Sequence, residues 1–535
     1  MARGCLQTGR IVAAGCALVV GLGTLCAAPE TPPAPAPAET PAPGYPENAV
    51  GLSLLDALRL AQLANLDIAQ ARAVVQQARA AHQRAQVLWL PSGIFGSTYL
   101  DHEGKIQNTN GSIIDVNRNS LFVGGGPTIS VGLNEALFAP SIAARILDAA
   151  RAAEGRVTND TLFVVADAYF AVQRGIRRLA RVEEILFYLT TPDQQRLLGN
   201  SKGLYPLIRD FVRLGNASPA EQARAEVEVA RRREERASVL QDLRFAMAEL
   251  ARLLRLDPQL LLWPLDDWRW ETPIPGDAWL DCSQNDLIAF ALGNRPDLAE
   301  NFALVRAARG RVRLARFRPL LPSLVTTYVA GGFGGSPNPM TVGRTTVMGK
   351  DGRIQNFGNR SDWDISLLWR LNNLGFGNVA EIREQQAFLE QAELRDLQTR
   401  ERVIAQVVQA VALVEQTAER VRVLQGGLFN ERGQREGPAY RSLRLNFTNV
   451  FQQQGRPLEV FDSIRGLNDT LEAYANALTD YDRARFRLLV ALGIPAPGIL
   501  DPRLMPAPPC CRQGSGVSEG APSASKGRSS VTPDP

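Results

Sequence analysis

The chain has 535 residues, 45% of them hydrophobic and 21% charged, with 59 Lys and Arg against 55 Asp and Glu for a formal net charge of +4. That balance supplies no global basic field for nucleic acid, and the apolar content is that of a folded protein.

Arg3 and Arg10 precede the apolar run Ile11–Leu25, and the small residues Ala27 and Ala28 follow. A basic start, a short apolar core and a small-residue region predict a signal peptide over residues 1–27. Cys26 sits where a bacterial lipoprotein cysteine would sit, but Gly23-Thr24-Leu25 is a poor lipobox. Lipidation at Cys26 and ordinary cleavage near Ala27 or Ala28 therefore both stand. Residues 28–50, rich in Pro, Ala, Glu and Thr, read as an extended linker. No later segment approaches 18 unbroken apolar residues, so any membrane crossing would have to be made by strands.

From there the chain says the same thing twice. Asp56–Ala61 opens an amphipathic helix that reaches Leu90-Pro91-Ser92. About 230 residues on, Asp286–Ala291 opens another that reaches Leu321-Pro322-Ser323. Asp67 matches Asp297, Ile68 matches Leu298 and Ala78 matches Ala308. After each Leu-Pro-Ser comes a glycine-rich alternating stretch, then a long helical pattern, then a second helix. The two units cover 51–262 and 283–500. A tryptophan-rich connector over 263–282 (Trp263, Trp268, Trp270, Trp279) separates them, and a tail over 501–535 is predicted to be disordered.

Four strands are predicted, around Gly93–Leu100, Leu121–Leu133, Leu324–Gly332 and Trp363–Leu371, with exposed loops at about His102–Asn119 and Gly334–Arg360. In the last strand Trp363, Ile365, Leu367 and Trp369 alternate with Asp364, Ser366, Leu368 and Arg370; in the second, Ile129, Val131 and Leu133 alternate with Ser130, Gly132 and Asn134. Alternate residues face opposite sides of a strand, so one face is oily and the other polar. Lipid against the first and water against the second make a transmembrane barrel. A soluble sheet also alternates, but four strands cannot close a useful barrel alone. They must join strands of other subunits or remain edges that aggregate.

The helices read as long, heptad-like rods. Val165, Tyr169, Val172, Ile176, Leu179 and Leu186 fall at a/d spacing, and Val403, Val407, Ala410, Val414, Val421 and Leu424 repeat it. Leu467, Leu471, Tyr474, Leu478, Tyr481, Leu488 and Leu492 do so again. This period packs helices knobs-into-holes along their length. Ser141–Leu189 contains no proline and reads as one helix of roughly 70 Å. The cysteines suggest no disulfide framework: Cys282 stands alone, and Cys510-Cys511 fall in the tail.

Taken in this order, the duplicated Asp-Ala-Leu-x-Leu-Ala start, the Leu-Pro-Ser entries, the paired Ala-rich helices and Tyr481-Asp482-Arg483-Ala484 with Ala491-Leu492-Gly493 resemble the TolC-like outer-membrane efflux family over most of residues 51–500. The resemblance implies a mainly α fold with a small β part. In it, a duplicated helix–strand–strand–helix unit builds an α-barrel of long helical hairpins plus four strands per protomer of a trimeric transmembrane β-barrel. It further implies a homotrimer in outer-membrane lipid that works with a periplasmic adaptor protein and an inner-membrane pump. It places the periplasmic tip and adaptor docking at Gly215, Glu221, Ala225 and Gly455, and a gate at Glu459 and Asp462, with Arg456 as a possible partner. Glu459 and Asp462 would share a helix face and, repeated in three chains, could form an acidic ring. An ordinary solvated pair near a helix start is the plainer alternative. Thr190–Leu207 and Phe429–Arg444 depart from the family by interrupting its helices. The tryptophan-rich connector is similar to the family's belt around mid-tunnel; a protein–protein surface fits it equally.

Catalysis finds no support. His82 and His102 have no ligand-spaced partner, no phosphate-binding Gly-x-x-x-x-Gly-Lys-Ser/Thr occurs, and Gly516-Val517-Ser518-Glu519-Gly520 lies in the tail without a strand-to-helix turn. No cofactor is expected and no enzyme. The expected function is a passive outer-membrane exit duct of a tripartite efflux pump or type I secretion system. The rival is a periplasmic coiled-coil scaffold without a pore.

Overall fold

A computed structural model describes residues 48–510 except 108, 191–202, 268, 275, 336–339, 343–344, 348–353, 453, 495 and 509. The proposed signal peptide, Cys26, most of the linker and the tail beyond Cys510 lie outside these residues.

In chain order the elements are β1 (Ala49–Leu52), α1 (Leu54–Ala64), α2 (Leu66–Gln86), β2 (Ser92–Gln107), β3 (Ile113–Gly132), α3 (Leu133–Thr190), α4 (Leu204–Arg213), α5 (Pro219–Leu254) and β4 (Leu261–Pro264). The second half supplies α6 (Gln284–Asn294), α7 (Pro296–Phe317), β5 (Ser323–Gly335), β6 (Met340–Val342), β7 (Thr345–Val347), β8 (Gln355–Leu368), α8 (Phe376–Leu428), α9 (Pro438–Phe451), α10 (Pro457–Ala491) and α11 (Ala496–Leu500). The duplication read from sequence is thus a duplication of elements.

Its markers have local causes. Ser53 caps α1 by accepting from the Asp56 N–H at 3.2 Å, while its hydroxyl donates to the Asp56 carboxylate at 2.6 Å. Ser283 and Asp286 do the same for α6, at 3.3 and 2.7 Å. The repeated aspartate is therefore a helix-start device that also favours the dipole. The breaks between α1 and α2 and between α6 and α7 fall at Asn65 and Arg295, both in extended conformation. Asn65 caps α2 through the Asp67 N–H. Arg295 instead holds Asp297 as an ion pair at 2.8 Å. Each Leu-Pro-Ser turns the chain into a strand.

The four main strands form one antiparallel sheet in the order β2-β3-β5-β8, so β3 and β5 join the two repeats and β2 and β8 are its edges. The first two strands run well past the predicted ends. Asp101–Gln107 pairs with Ile113–Asn119, where an exposed loop was expected. The polar residues there hid a hairpin that continues the pairing to Gln107 and Ile113. Close strand crossing requires glycine at Gly331, where a Cβ would meet the backbone of Val123 and Gly124.

The helices form a layer one helix deep. α3, 58 residues and roughly 85 Å long, and α8, 53 residues, run through it. Nearer the strands the order is α2–α3–α7–α8; farther away it is α5–α3–α10–α8. Val165, Tyr169, Val172, Ile176 and Leu179 on α3 are buried as their spacing predicts, and so are Val403, Val407, Ala410, Val414 and Val421 on α8. The core has one large cluster around mid-helix, which includes Ala57, Tyr169, Trp279 and Phe486, and a second beyond it, which includes Ile185, Leu207, Phe447 and Ile464.

Three expectations need correction at the belt and tail. β1 pairs in parallel with β4, so the folded body begins inside the proposed linker, and the 262/263 boundary cuts a strand. Trp263 and Trp279 are buried and Trp270 half-buried, which goes against the protein–protein-surface alternative for the connector; Trp268 lies outside the described residues. Cys282 and Cys510 form a disulfide with Cα atoms 5.2 Å apart, and Met505 packs on the core, so the chain is ordered well into the predicted disordered tail. A separation of 228 residues gave the sequence no spacing signal for that pair.

Candidate functional site: a helical tip and a two-faced sheet

The end of the molecule remote from the sheet is built by two turns, α4–α5 and α9–α10. Gly215 takes φ +78, with its N–H donating to Val212 O at 3.1 Å and that of Asn216 to Phe211 O at 2.8 Å. This closes α4 in a left-handed turn that favours glycine. Ser218 then starts α5. Its hydroxyl accepts from the Glu221 N–H at 3.3 Å, and the Glu221 carboxylate accepts from the Ser218 N–H at 3.1 Å. Glu221 is therefore committed to a capping box. Ala225, one turn further, is fully buried, so it supports the tip from within and presents no surface to a partner.

Gly455 lies at the matching turn, its N–H on Asn449 O at 3.1 Å. A Cβ there would stand 3.0 Å from Asn449 Cβ and 3.3 Å from Glu459 Oε2, so its bareness lets the Glu459 side chain fold back over the turn. Pro457 starts α10 and Arg456 occupies its cap position without a side-chain cap bond. Glu459 and Asp462 are both exposed and line one groove between α9 and α10 with Ser442, Asn446 and Ser463. The structure thus brings the two acids together on one face. The cation beside Asp462 is Arg465, at 3.8 Å, and not Arg456. Arg465 also reaches Glu228 of α5 at 3.8 Å, which links the two tip hairpins. The i,i+3 spacing from Asp462 could have flagged Arg465 in the sequence.

The interruptions sit above the tip. α3 stops at Thr190, and residues 191–202 of the first interruption are outside the described set. In the second, only Phe429–Gly437 is loop; α9 resumes at Pro438, short of the predicted Arg444 limit. Arg435 of this loop donates to Glu184 of α3 at 2.5 Å, and Tyr440 donates to the same carboxylate oxygen at 3.0 Å.

Between tip and sheet, Asp482 joins α10 to α3 and the belt. It has no exposed surface, accepts from the Thr272 N–H and hydroxyl at 3.1 Å each, and faces Arg177 at 3.5 Å and Arg485 at 3.7 Å. Burial pushes its carboxyl up to about 6, against the pull of the two guanidinium groups. The same burial lowers Arg177. The sequence reading used Tyr481-Asp482-Arg483-Ala484 as a marker of resemblance and missed this role, because the partners lie up to 305 residues away.

At the other end the sheet keeps its two faces. Paired residues share a side, so Trp363, Ile365 and Leu367 stand with Tyr328, Thr326 and Leu324. The opposite side carries Asp362, Asp364 and Ser366 beside Val329, Thr327 and Val325. Where strands meet helices, Trp89, Leu90, Leu320, Trp369, Leu374 and Phe376 are all exposed, Leu374 to 92%. Tryptophans and aliphatic groups gathered at one level, next to an oily sheet face, have the composition of a lipid–water boundary. Among the described residues no helix is long and apolar enough to cross a membrane, and no group of His, Cys, Asp and Glu is arranged to hold a metal.

No protein-family model and no curated protein matches the sequence. Solved structures do match the fold. The outer-membrane channel OprN is 16% identical, over 82% of this chain and 89% of that one, with a TM-score of 0.64. A membrane protein from Pseudomonas aeruginosa is 17% identical over 86% and 99%, with a TM-score of 0.66. The outer membrane protein VceC from Vibrio cholerae is 13% identical over 82% and 96%, with a TM-score of 0.64. The chain therefore has the fold of the TolC-like outer-membrane channels, long helical hairpins carrying a small sheet, as the resemblance implied.

Proposed function

We propose that three copies of this chain close into an outer-membrane exit duct of a tripartite efflux pump or type I secretion system, through which solutes or secreted protein pass without chemical change. The observation that carries this reading is the sheet. Among the described residues it has four antiparallel strands with β2 and β8 unpaired at its edges, and a face on which Trp363, Ile365 and Leu367 are exposed. Open edges of 16 and 14 residues need partners, and identical neighbours supply them by cyclic closure. The exposed ring of Trp89, Trp369 and Phe376 then lies at the inner surface of the bilayer, and the helices continue into the periplasm as a tunnel. The Cys282–Cys510 disulfide suits an oxidising compartment of that kind.

The tip turns at Gly215 and Gly455 are where a periplasmic adaptor would dock, with Glu221 fixing one turn by its capping box. Glu459 and Asp462 form the gate, repeated three times around the tunnel mouth, and Arg465 takes the partner role considered for Arg456. The chain offers no phosphate-binding motif, so an inner-membrane pump supplies the energy. Mass measurement of the detergent-solubilised protein tests the assembly: a trimer is expected, and a detergent-free stable monomer would return the scaffold reading.

A further inference from the structure

One seam between two copies of the structural unit lies within the chain, where β3 meets β5 and α3 meets α7 and α10. Among the described residues, the outer edges of the layer are the same elements with the repeats exchanged: β8 and α8 on one side, β2, α2 and α5 on the other. The strands of the repeats correspond residue for residue, since Ser92 of β2 pairs with Thr128 of β3 as Ser323 of β5 pairs with Leu368 of β8. Across the seam Thr128 pairs with Thr327, and Gly125 with Ala330. Carried over by that correspondence, these pairs set Leu368 opposite Gly96, and Ile365 opposite Tyr99, of a second copy.

The faces of the sheet agree with this register. Phe95 pairs with Gly125, Gly125 with Ala330 and Ala330 with Ser361, so Phe95, Ser97 and Tyr99 stand on the side of Trp363 and Ile365. The carried-over pairing therefore joins oily side to oily side, whereas a slip of one residue would turn Tyr99 toward the row of Asp364 and Ser366. The helices agree independently. Val165, Tyr169, Val172 and Ile176 of α3 keep the spacing of Val403, Val407, Ala410 and Val414 of α8, and α5 and α10 both start at a proline, Pro219 and Pro457. Arg177 follows Ile176 as Glu415 follows Val414, and Asp482 lies as far beyond Pro457 as Arg244 beyond Pro219. Arg177 and Asp482 are the buried ion pair of the α3–α10 seam, 3.5 Å apart. Their counterparts Glu415 and Arg244 are again opposite in charge, with the signs exchanged. Both are exposed, and neither has an ion-pair partner among the described residues.

We propose that the contact between protomers repeats the seam between repeats: β8 pairs with β2 of the next copy with Ile365 opposite Tyr99, and α8 lies against that copy's α5 with Glu415 on Arg244. The proposal rests on the trimer of the duct reading and adds the register at which its copies meet. That register fixes the stagger of the strands, and with it the tilt of the closed barrel.

The test oxidises the full-length protein in detergent, with Ile365→Cys combined with Tyr99→Cys and, in parallel, with Ser97→Cys or Asp101→Cys. Directly opposed strand residues lie within the Cα span of a disulfide, while positions two residues along are about 7–8 Å away. Within one protomer the two edges are three strand spacings apart, roughly 14 Å, so any bridge joins two copies. A covalent trimer, absent from the oxidised parent protein, is expected with Tyr99→Cys and largely lost with the other two. A trimer bridged better through Ser97→Cys or Asp101→Cys, or through none of the three, overturns the register and leaves the trimer standing; a chain that forms no trimer overturns both. Glu415→Arg and Arg244→Glu are each expected to lower the temperature at which the trimer dissociates, because each sets like charges together, and the double variant to regain it. A double variant no better than the single ones overturns the helix contact. Both of these residues are exposed in the protomer, so this second measurement stands even where a strand cysteine prevents folding.

Discussion

At Asp482 a single carboxylate holds α10, α3 and the belt together from a position water does not reach. Burial has raised its pKa to about 6, so the folded chain binds that proton more tightly than the unfolded chain, whose value is near 3.8. Protonation therefore favours folding: the contribution is fully present below about pH 4 and is lost as pH rises through about 6. Asp482→Asn removes this titration. The difference in Tm between the two proteins should change across that window and become constant above about pH 7; Tm curves that run parallel throughout would contradict it. Glu459 and Asp462 have a different setting, exposed in one groove between α9 and α10. If they form the gate, replacing both with Ala reduces block of the open duct by multivalent cations, measured as conductance against added cation. Unchanged block would remove them from the mechanism.

Among the elements, the helices and strands were readable because their periods are strong. Most of the a/d rows of α3 and α8 is buried, and the alternation of Trp363, Ile365 and Leu367 with Asp364 and Ser366 marked the two faces of β8. What the sequence left unread depended on partners remote along the chain. The polar ends of β2 and β3 form a hairpin only because each strand aligns the other. Trp263 is core because β1, which starts inside the proposed linker, pairs with β4, and Trp279 is core because it packs on Phe290 of α6. Cys282 and Cys510 meet because the segment after α11 returns to the belt. At the tip, Gly215 and Gly455 lie in the two turns, Glu459 and Asp462 line one groove, Ala225 is internal, and Arg465, one turn beyond Asp462, is the cation beside it. The disulfide ties that returning segment down, and Cys510→Ser should cost about 2–5 kcal/mol. Thermal unfolding with and without reductant checks this; equal Tm in both would show the segment held by packing alone.

For the molecule as a whole, two repeats side by side give half-finished surfaces at both ends. Among the described residues the sheet has no further strand beside β2 or β8, and the helices make a layer one deep with much apolar surface uncovered, Phe302, Phe388 and Val423 among it. In the proposed ring, identical layers would cover such faces and complete the sheet in one operation, around an axial passage. A scaffold without a pore would leave Trp363, Ile365 and Leu367 in water. Single-channel recording in planar bilayers separates these most directly. Stepwise, long-lived conductance from the purified protein is the expected result; a protein that stays silent, and remains in solution without detergent, would contradict the account.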